Sequence, residues 1–339
     1  MLAPPQGFTE EALAAVLARG WGIEVAGLDY RAVGFGGHHW EVVEAGGARW
    51  FVTVDEPARR RVSEHETPAE SRARMAAALG AARTLLNAGD RFDFVVAPVP
   101  ALDGQLLLDV GAGMCTSVYP LLEGESFAWG EFRDAEQRAA VVGMLIAVHR
   151  APEGPDSGAP VDDFRIQMRE ELERALAEGV AVAEHGPYSA PLARLVSQHA
   201  PALRVALREY DALVAQVRGG EPGAAEPRRV LTHGEPHAAN TMLTLDGWKL
   251  IDWDTAALAP PERDLWDIDP GDGSVLRAYA EATGHTPREP LLRLYALRWD
   301  LTDLALFAAD FRREHGQDAN NAKSWELVQG VVRGLVAHG

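Results

Sequence analysis

Three residues in one stretch of this chain have the types and spacing needed to move a phosphoryl group. Val230 to Met242 contains His233-Gly234-Glu235-Pro236-His237 and then Asn240, and a short hairpin later come Leu250-Ile251-Asp252-Trp253-Asp254. Phosphoryl transfer needs a carboxylate that orients and deprotonates an attacking hydroxyl, and oxygen ligands for a magnesium ion bridging the phosphates. Glu235 supplies the first; Asn240, five positions on, and Asp252, on the next strand, supply the second. Zinc chemistry is suggested by His233, Glu235 and His237. It fails on two counts: the single cysteine, Cys115, cannot build a deaminase thiolate site, and Pro236 breaks the helix a zincin needs.

These residues need a scaffold with a cleft. The chain has 339 residues, 47% hydrophobic and 24% charged, enough for a large core. Strand signals concentrate before residue 120: after a helix over 8–19, strands run over 30–43 and 49–54, interrupted by the glycine clusters Gly34-Phe35-Gly36-Gly37 and Gly46-Gly47. A helix is expected over 68–87, then a strand pair over 94–100 and 105–111. Later segments are helical over 131–150, 164–183, 190–217, 274–283, 290–315 and 324–337. Strand islands interrupt them at 230–232, 241–243 and 249–251, and loops are expected over 151–160 and 219–227. This order predicts an α+β protein of two lobes with a cleft between them.

The net charge of −18, from 50 acidic and 32 basic residues, disfavours nucleic acid and anionic membranes and favours a cationic ligand. Residues 1–20 lack a basic region followed by an apolar run, and no stretch is apolar enough to span a bilayer. One cysteine fits a reducing interior, so a cytoplasmic protein is expected.

The catalytic stretch resembles the aminoglycoside phosphotransferase family, which has a protein-kinase-like bilobal fold, with a small β-rich N-lobe and a larger helical C-lobe. The flavour of Pro-Pro-Glu-Arg-Asp-Leu and Trp-Asp-Leu-Thr-Asp is similar to its spectinomycin-phosphotransferase-like subgroup. The resemblance implies Glu235 as catalytic base, Asn240 and Asp252 on Mg2+, His233 as a loop brace, and Asp264 in Pro260-Pro261-Glu262-Arg263-Asp264-Leu265 bracing the same loop. It further implies a nucleotide, ATP or GTP, covered by Gly34, Phe35, Gly36 and Gly37, with its adenine at the backbone of Tyr119 and Leu121. Residues 1–118 then form the nucleotide-covering lobe, 119–124 the hinge and 125–339 the catalytic and acceptor-binding lobe. The implied acceptor is a hydroxyl on a small, cationic, aminoglycoside-type antibiotic, met by Asp254, Glu262, Trp299, Asp300 and Asp303. A choline- or homoserine-like metabolite kinase, or a nucleotide-binding module without efficient transfer, are the other readings of the same motifs.

Two departures from the family pattern bear on this. Glu235 stands where aspartate is usual, which pushes the carboxylate outward by about 1.5 Å without changing its chemistry. Thr53 stands where a lysine normally grips the phosphates, and the only lysines are Lys249 and Lys323. Arg49, Arg59, Arg60 and Arg61 are the nearby cations; the last three are equally read as an ordinary solvated loop.

Overall fold

The computed structural model describes every residue except 6, 35, 153, 155, 179–184, 220–227 and 338–339. The first helix, α1 (Glu10–Trp21), starts where the Thr9 side chain accepts from the Ala12 N–H at 3.2 Å and buries Leu13, Val16 and Leu17. That apolar stripe lies on one face of an antiparallel sheet built from β1 (Val25–Arg31), β2 (His38–Glu44) and β3 (Arg49–Asp55). Next comes α2 (Pro68–Asn87), opened by a reciprocal capping box between Thr67 and Glu70 with proline in its first turn. The sheet is completed by β4 (Leu108–Gly111) and β5 (Met114–Pro120), in the order β1-β2-β3-β5-β4. Alternation along β3 puts Val52 and Val54 in the core with Trp40, Val42 and Val118, and therefore Phe51, Thr53 and Asp55 on the opposite face.

Beyond Pro120 the chain forms β6 (Gly124–Ser126), α3 (Ala135–His149), α4 (Arg169–Glu178) and α5 (Ser189–Gly219). The catalytic stretch then supplies β7 (Val230–Thr232), β8 (Thr241–Thr244), β9 (Gly247–Leu250) and β10 (Ala257–Ala259). These pair as two small antiparallel sheets, β10-β7 and β6-β8-β9. A four-residue helix, α6 (Glu262–Leu265), and three longer ones, α7 (Ser274–Thr283), α8 (Glu289–Phe311) and α9 (Ala319–Ala337), finish the chain. The helical core joins Leu172, Leu203, Tyr210, Leu294, Leu304 and Val328 from α4, α5, α8 and α9. A β-sheet N-terminal region followed by a helical C-terminal region is the expected kinase-like α+β class.

One sequence expectation is overturned. Residues 94–100 are extended but do not pair with 105–111. Val96 N–H donates to Leu250 O (3.1 Å), Leu250 N–H to Phe94 O (2.8 Å), and Val99 N–H to Val118 O (2.7 Å). The segment ties the first sheet to β9, while β4 pairs with β5. The helix expected over 164–183 is observed as Arg169–Glu178, and most of the loop expected over 219–227 lies outside the described residues.

Candidate active site

The loop after β7 is held by one buried carboxylate. Asp264 on α6 accepts from Gly234 N–H (2.6 Å) and His233 N–H (2.8 Å), and takes a third bond from His149 Nε2 at 3.0 Å. Tyr279 OH lies 2.9 Å from His149 Nδ1, so α3 and α7 both anchor the clamp. Burial pushes the Asp264 carboxyl upward, but the His149 bond and charge outweigh it and hold the group below the ordinary carboxylate range. His233 is fully buried and T-stacked on Trp253 at 4.6 Å. Its Nδ1 accepts from Glu235 N–H (3.2 Å), which leaves the proton on Nε2 to donate to Ile251 O (2.9 Å). Burial lowers its pKa to about 4, so the ring is neutral and braces the loop without touching a reactant.

Gly234 has φ +102°, and a methyl group there would land on the Arg263 guanidinium, which bonds Thr232 Oγ1 (2.9 Å) and Thr255 O (2.8 Å). Gly234→Ala is expected to cost at least about 2 kcal/mol of stability from strained backbone and displaced Arg263, read by denaturant unfolding.

The clamped loop presents Glu235, whose side chain is one-third exposed (33%). Burial raises its pKa, but His237, with Nε2 at 3.8 Å from Oε2, reverses that and leaves Glu235 below the usual range. Asn240 donates from Nδ2 to Glu235 O at 2.9 Å, which leaves its amide oxygen as the free end. Ile251 N–H donates to Asn240 O (2.9 Å), tying the metal motif to the catalytic loop. Asp252 takes a left-handed backbone, φ +66°, of the kind that gathers at functional sites. Burial, then the charges of Asp254 and Glu235, push its carboxyl well above the ordinary value; Asp254 is raised by burial and by Asp55 and Glu235, against the pull of Arg60. A carboxylate pair crowded this way is short of positive charge.

The donor set fits Mg2+. The free amide oxygen of Asn240 and the crowded Asp252 carboxylate are hard oxygen ligands, and Mg2+ takes one or two protein carboxylates with the rest from water and phosphate. Among the described residues no group of three or more His, Cys, Asp or Glu is placed to hold a metal ion. At the β1–β2 turn, where the nucleotide was expected, Gly34 and Gly36 have positive φ, and a Cβ at Gly37 would press on Asp55 Oδ1 at 3.2 Å. Phe35 lies outside the described residues. Thr53 is engaged with Ser117 Oγ at 2.7 Å. Tyr119 pairs with Phe51 in the ladder. The Leu121 amide is already given to Arg49 O (3.3 Å), so only its carbonyl is left for a base.

Arg60, not a solvated loop residue, enters the cleft and pairs with Asp55 Oδ1 (2.9 Å) and Asp254 Oδ2 (3.1 Å). Asp254, expected at the acceptor, therefore stands with Arg60 and Asp252 instead. Glu262, also expected there, is fully buried: its Oε1 accepts from Arg288 N–H (2.9 Å) and lies 3.3 Å from His285 Nε2, which ties α6 to the start of α8.

Beside Glu235 a narrow recess of about 10 Å³ is lined by Trp129, His237, Trp266, Asp267 and Trp299. Trp129, 58% exposed, stacks on Trp299 at 5.5 Å and 12°. Asp303 feels the Glu235 charge, and burial, followed by Glu235 and Asp300, pushes its carboxyl up to about 7. Asp300 instead lines a separate depression of about 190 Å³ with Glu209, Trp266 and Arg293. Sequence reasoning missed Trp129, Trp266 and Asp267. The signals were faint: a tryptophan in a loop of Gly and Glu, and an acidic pair next to the α6 motif.

A sequence model described as the phosphotransferase enzyme family matches residues 32–315. The chain is 31% identical over 241 residues to protein StrN of Streptomyces griseus, covering 69% of this chain and 70% of that protein. Its fold is shared with spectinomycin phosphotransferase APH(9)-Ia in complex with ADP and spectinomycin, at TM-score 0.70 and 17% identity over 98% of this chain and 99% of that one. It is also shared with the amicoumacin kinase hAmiN in complex with AMP-PNP, Ca2+ and Ami, at TM-score 0.62 and 12% identity over 98% and 94%.

Proposed function

This chain belongs to the phosphotransferase enzyme family, and from that membership we propose that it moves the terminal phosphate of ATP or GTP to a hydroxyl of a small, cationic, ring-bearing antibiotic of the aminoglycoside type. The observation that carries the reading is the clamp: Asp264, His233 and Asn240 hold one loop so that Glu235 stands between the metal-motif carboxylates and an aromatic recess. Glu235 accepts the hydrogen bond of the acceptor hydroxyl and orients its oxygen; that oxygen forms the new bond to phosphorus as the bond to the leaving phosphate oxygen breaks, and the proton passes to Glu235. Asn240 and Asp252 are the residues that would hold Mg2+, which supplies positive charge to the phosphate oxygens. A lobe boundary at 118/119 with a hinge over 119–124 and a cytoplasmic setting belong to the same proposal. The buried Cys115, its thiol pushed up by burial to about 12, suits a reducing interior, and no described helix is long and apolar enough to cross a membrane.

A cationic ring is favoured because Trp129 and Trp299 offer stacked aromatic faces while Asp267 adds acidity to the same recess and Asp303 lies within the field of Glu235. Incubation with nucleotide, Mg2+ and a panel of aminocyclitol and amino-sugar antibiotics, choline and homoserine is the test. Gain of one phosphoryl group by an antibiotic supports the proposal; transfer to choline or homoserine alone moves it to a metabolite kinase, and nucleotide binding without transfer to any of them ends it.

Acceptor affinity should depend on pH. Asp303 is ionised above about 7 and protonated below, and the groups facing it, Glu235 and Asp300, are themselves acidic. Attraction for a cation is therefore present on the alkaline side and lost on acidification. KM for the acceptor is expected to rise roughly tenfold from about pH 8 to about pH 6, and Asp303→Asn should flatten the profile.

A further inference from the structure

We propose that the Arg60 guanidinium holds the nucleotide's phosphate chain, taking over from a different segment the task that Thr53 cannot perform. No lysine precedes Lys249 in the chain, and the Met1 ammonium, which lies at the glycine turn, is taken up by the carbonyls of Val33, Gly34 and Gly37, so a cation free to turn toward the β3 face comes from an arginine. Arg49 turns outward to Glu41 and Glu123. Arg59 pairs with Glu56 and is 54% exposed. Arg61 is spent on the carbonyls of Ala58 and Glu64. Among these four, Arg60 is the one that reaches the cleft.

Its placement is built rather than incidental. Asp55 and Thr53 share the inner face of β3 through the two-residue strand period, so the carboxylate gripping Arg60 projects from the same face as the missing lysine would. On the other side Asp254, two residues from Asp252, grips the same nitrogen at 3.1 Å. The guanidinium thus lies between β3 and the metal motif. It also touches the glycine turn: a Cβ at Gly36 would sit 3.6 Å from Arg60 Nη2. Arg60 Nε is buried and has no hydrogen-bond partner among the described residues. Both carboxylates sit on Nη2, and the planar, permanently charged fork matches a pair of phosphate oxygens.

This inference rests on the nucleotide-dependent reading above, and the test separates the two. Calorimetric affinities of the full chain for ATP, ADP and adenosine are compared with those of Arg60→Met and of the double variant Arg60→Met, Thr53→Lys. Arg60→Met is expected to weaken ATP roughly 10- to 100-fold and adenosine less than about twofold, since only phosphate contacts are lost. Thr53→Lys should recover much of the ATP loss, because the new ammonium enters from the same strand face. Unaltered ATP affinity in Arg60→Met, or parallel losses of ATP and adenosine, would overturn the assignment and leave Arg60 as a neutraliser of Asp55 and Asp254. A wild-type chain that binds neither ligand would instead overturn the nucleotide reading itself. Should Arg60→Met fail to fold, the arginine Nε–H resonance of the native protein that disappears in Arg60→Lys decides. It must shift on adding ADP and stay in place with adenosine, and a resonance indifferent to ADP rejects the proposal.

Discussion

Glu235→Gln is expected to lower turnover by roughly 10²- to 10⁴-fold, the range general-base removal covers, while nucleotide affinity changes by less than about twofold. The amide has the carboxylate's shape and cannot take a proton. The loop beneath it does not depend on this side chain: Gly234 and His233 are held through their backbone by Asp264, and Asn240 bonds the Glu235 carbonyl, not its carboxylate. A fall confined to kcat is therefore the signature of a base, whereas matched losses in turnover and nucleotide binding would make Glu235 structural. Glu235→Asp tests the departure from the family pattern. On a fixed backbone it withdraws the carboxylate by about 1.5 Å, and a loss of roughly 10- to 100-fold is expected because transfer depends on positioning. Steady-state kinetics with titration of nucleotide and acceptor separately would read both outcomes.

The second large effect is Asp252→Ala. It is expected to remove Mg2+-dependent transfer by about 10³-fold or more, since phosphoryl transfer depends almost wholly on positioned positive charge. Stability supplies an independent check. In the folded protein burial and the charges of Asp254 and Glu235 raise the Asp252 pKa above its unfolded value. The sign follows from linkage: a carboxyl with a raised folded pKa favours the folded state below the unfolded pKa, and that advantage is lost as pH rises through the raised value. Without Mg2+ near neutral pH, Asp252→Asn, which keeps a residue suited to the left-handed backbone, should melt no lower than the parent, having shed a crowded negative charge. Addition of Mg2+ with nucleotide should raise the melting temperature of the parent and not of Asp252→Ala. Undiminished turnover in Asp252→Ala would refute the assigned role.

The Asp264 clamp explains why a four-residue helix matters to the site. Glu262, Arg263 and Asp264 are consecutive, charged and buried, and each is bonded to a different part of the chain, the start of α8, the β7 and Thr255 backbone region, and the loop after β7, with Glu262 Oε2 and Arg263 Nε left without a hydrogen-bond partner among the described residues. Such groups are tolerated inside only when bonded, so this helix cannot shift without stranding charge, and Glu235 inherits its position from it.

The sequence by itself determined the local layout of the candidate loop, because Glu235, Asn240 and Asp252 lie within a short stretch whose turns and strand periods leave little freedom. It also determined the helix over Pro68–Asn87, where capping box and proline act within one turn, while Asp264 as a brace came from the family resemblance and is matched by its bonds to the His233 and Gly234 amides. Only the tertiary structure decided which side chains from distant segments face the cleft. Arg60 and its neighbours Arg59 and Arg61 are alike in sequence, and only the approach of Asp254 from nearly two hundred residues away selects one of them. Glu262 turns inward because Arg288 N–H waits there, and Trp129 becomes part of a recess because Trp299 on α8 stacks beneath it. The segment over 94–100 was legible as extended but not in its partners, since backbone donors are chemically identical and choose among carbonyls only once the surrounding elements have packed.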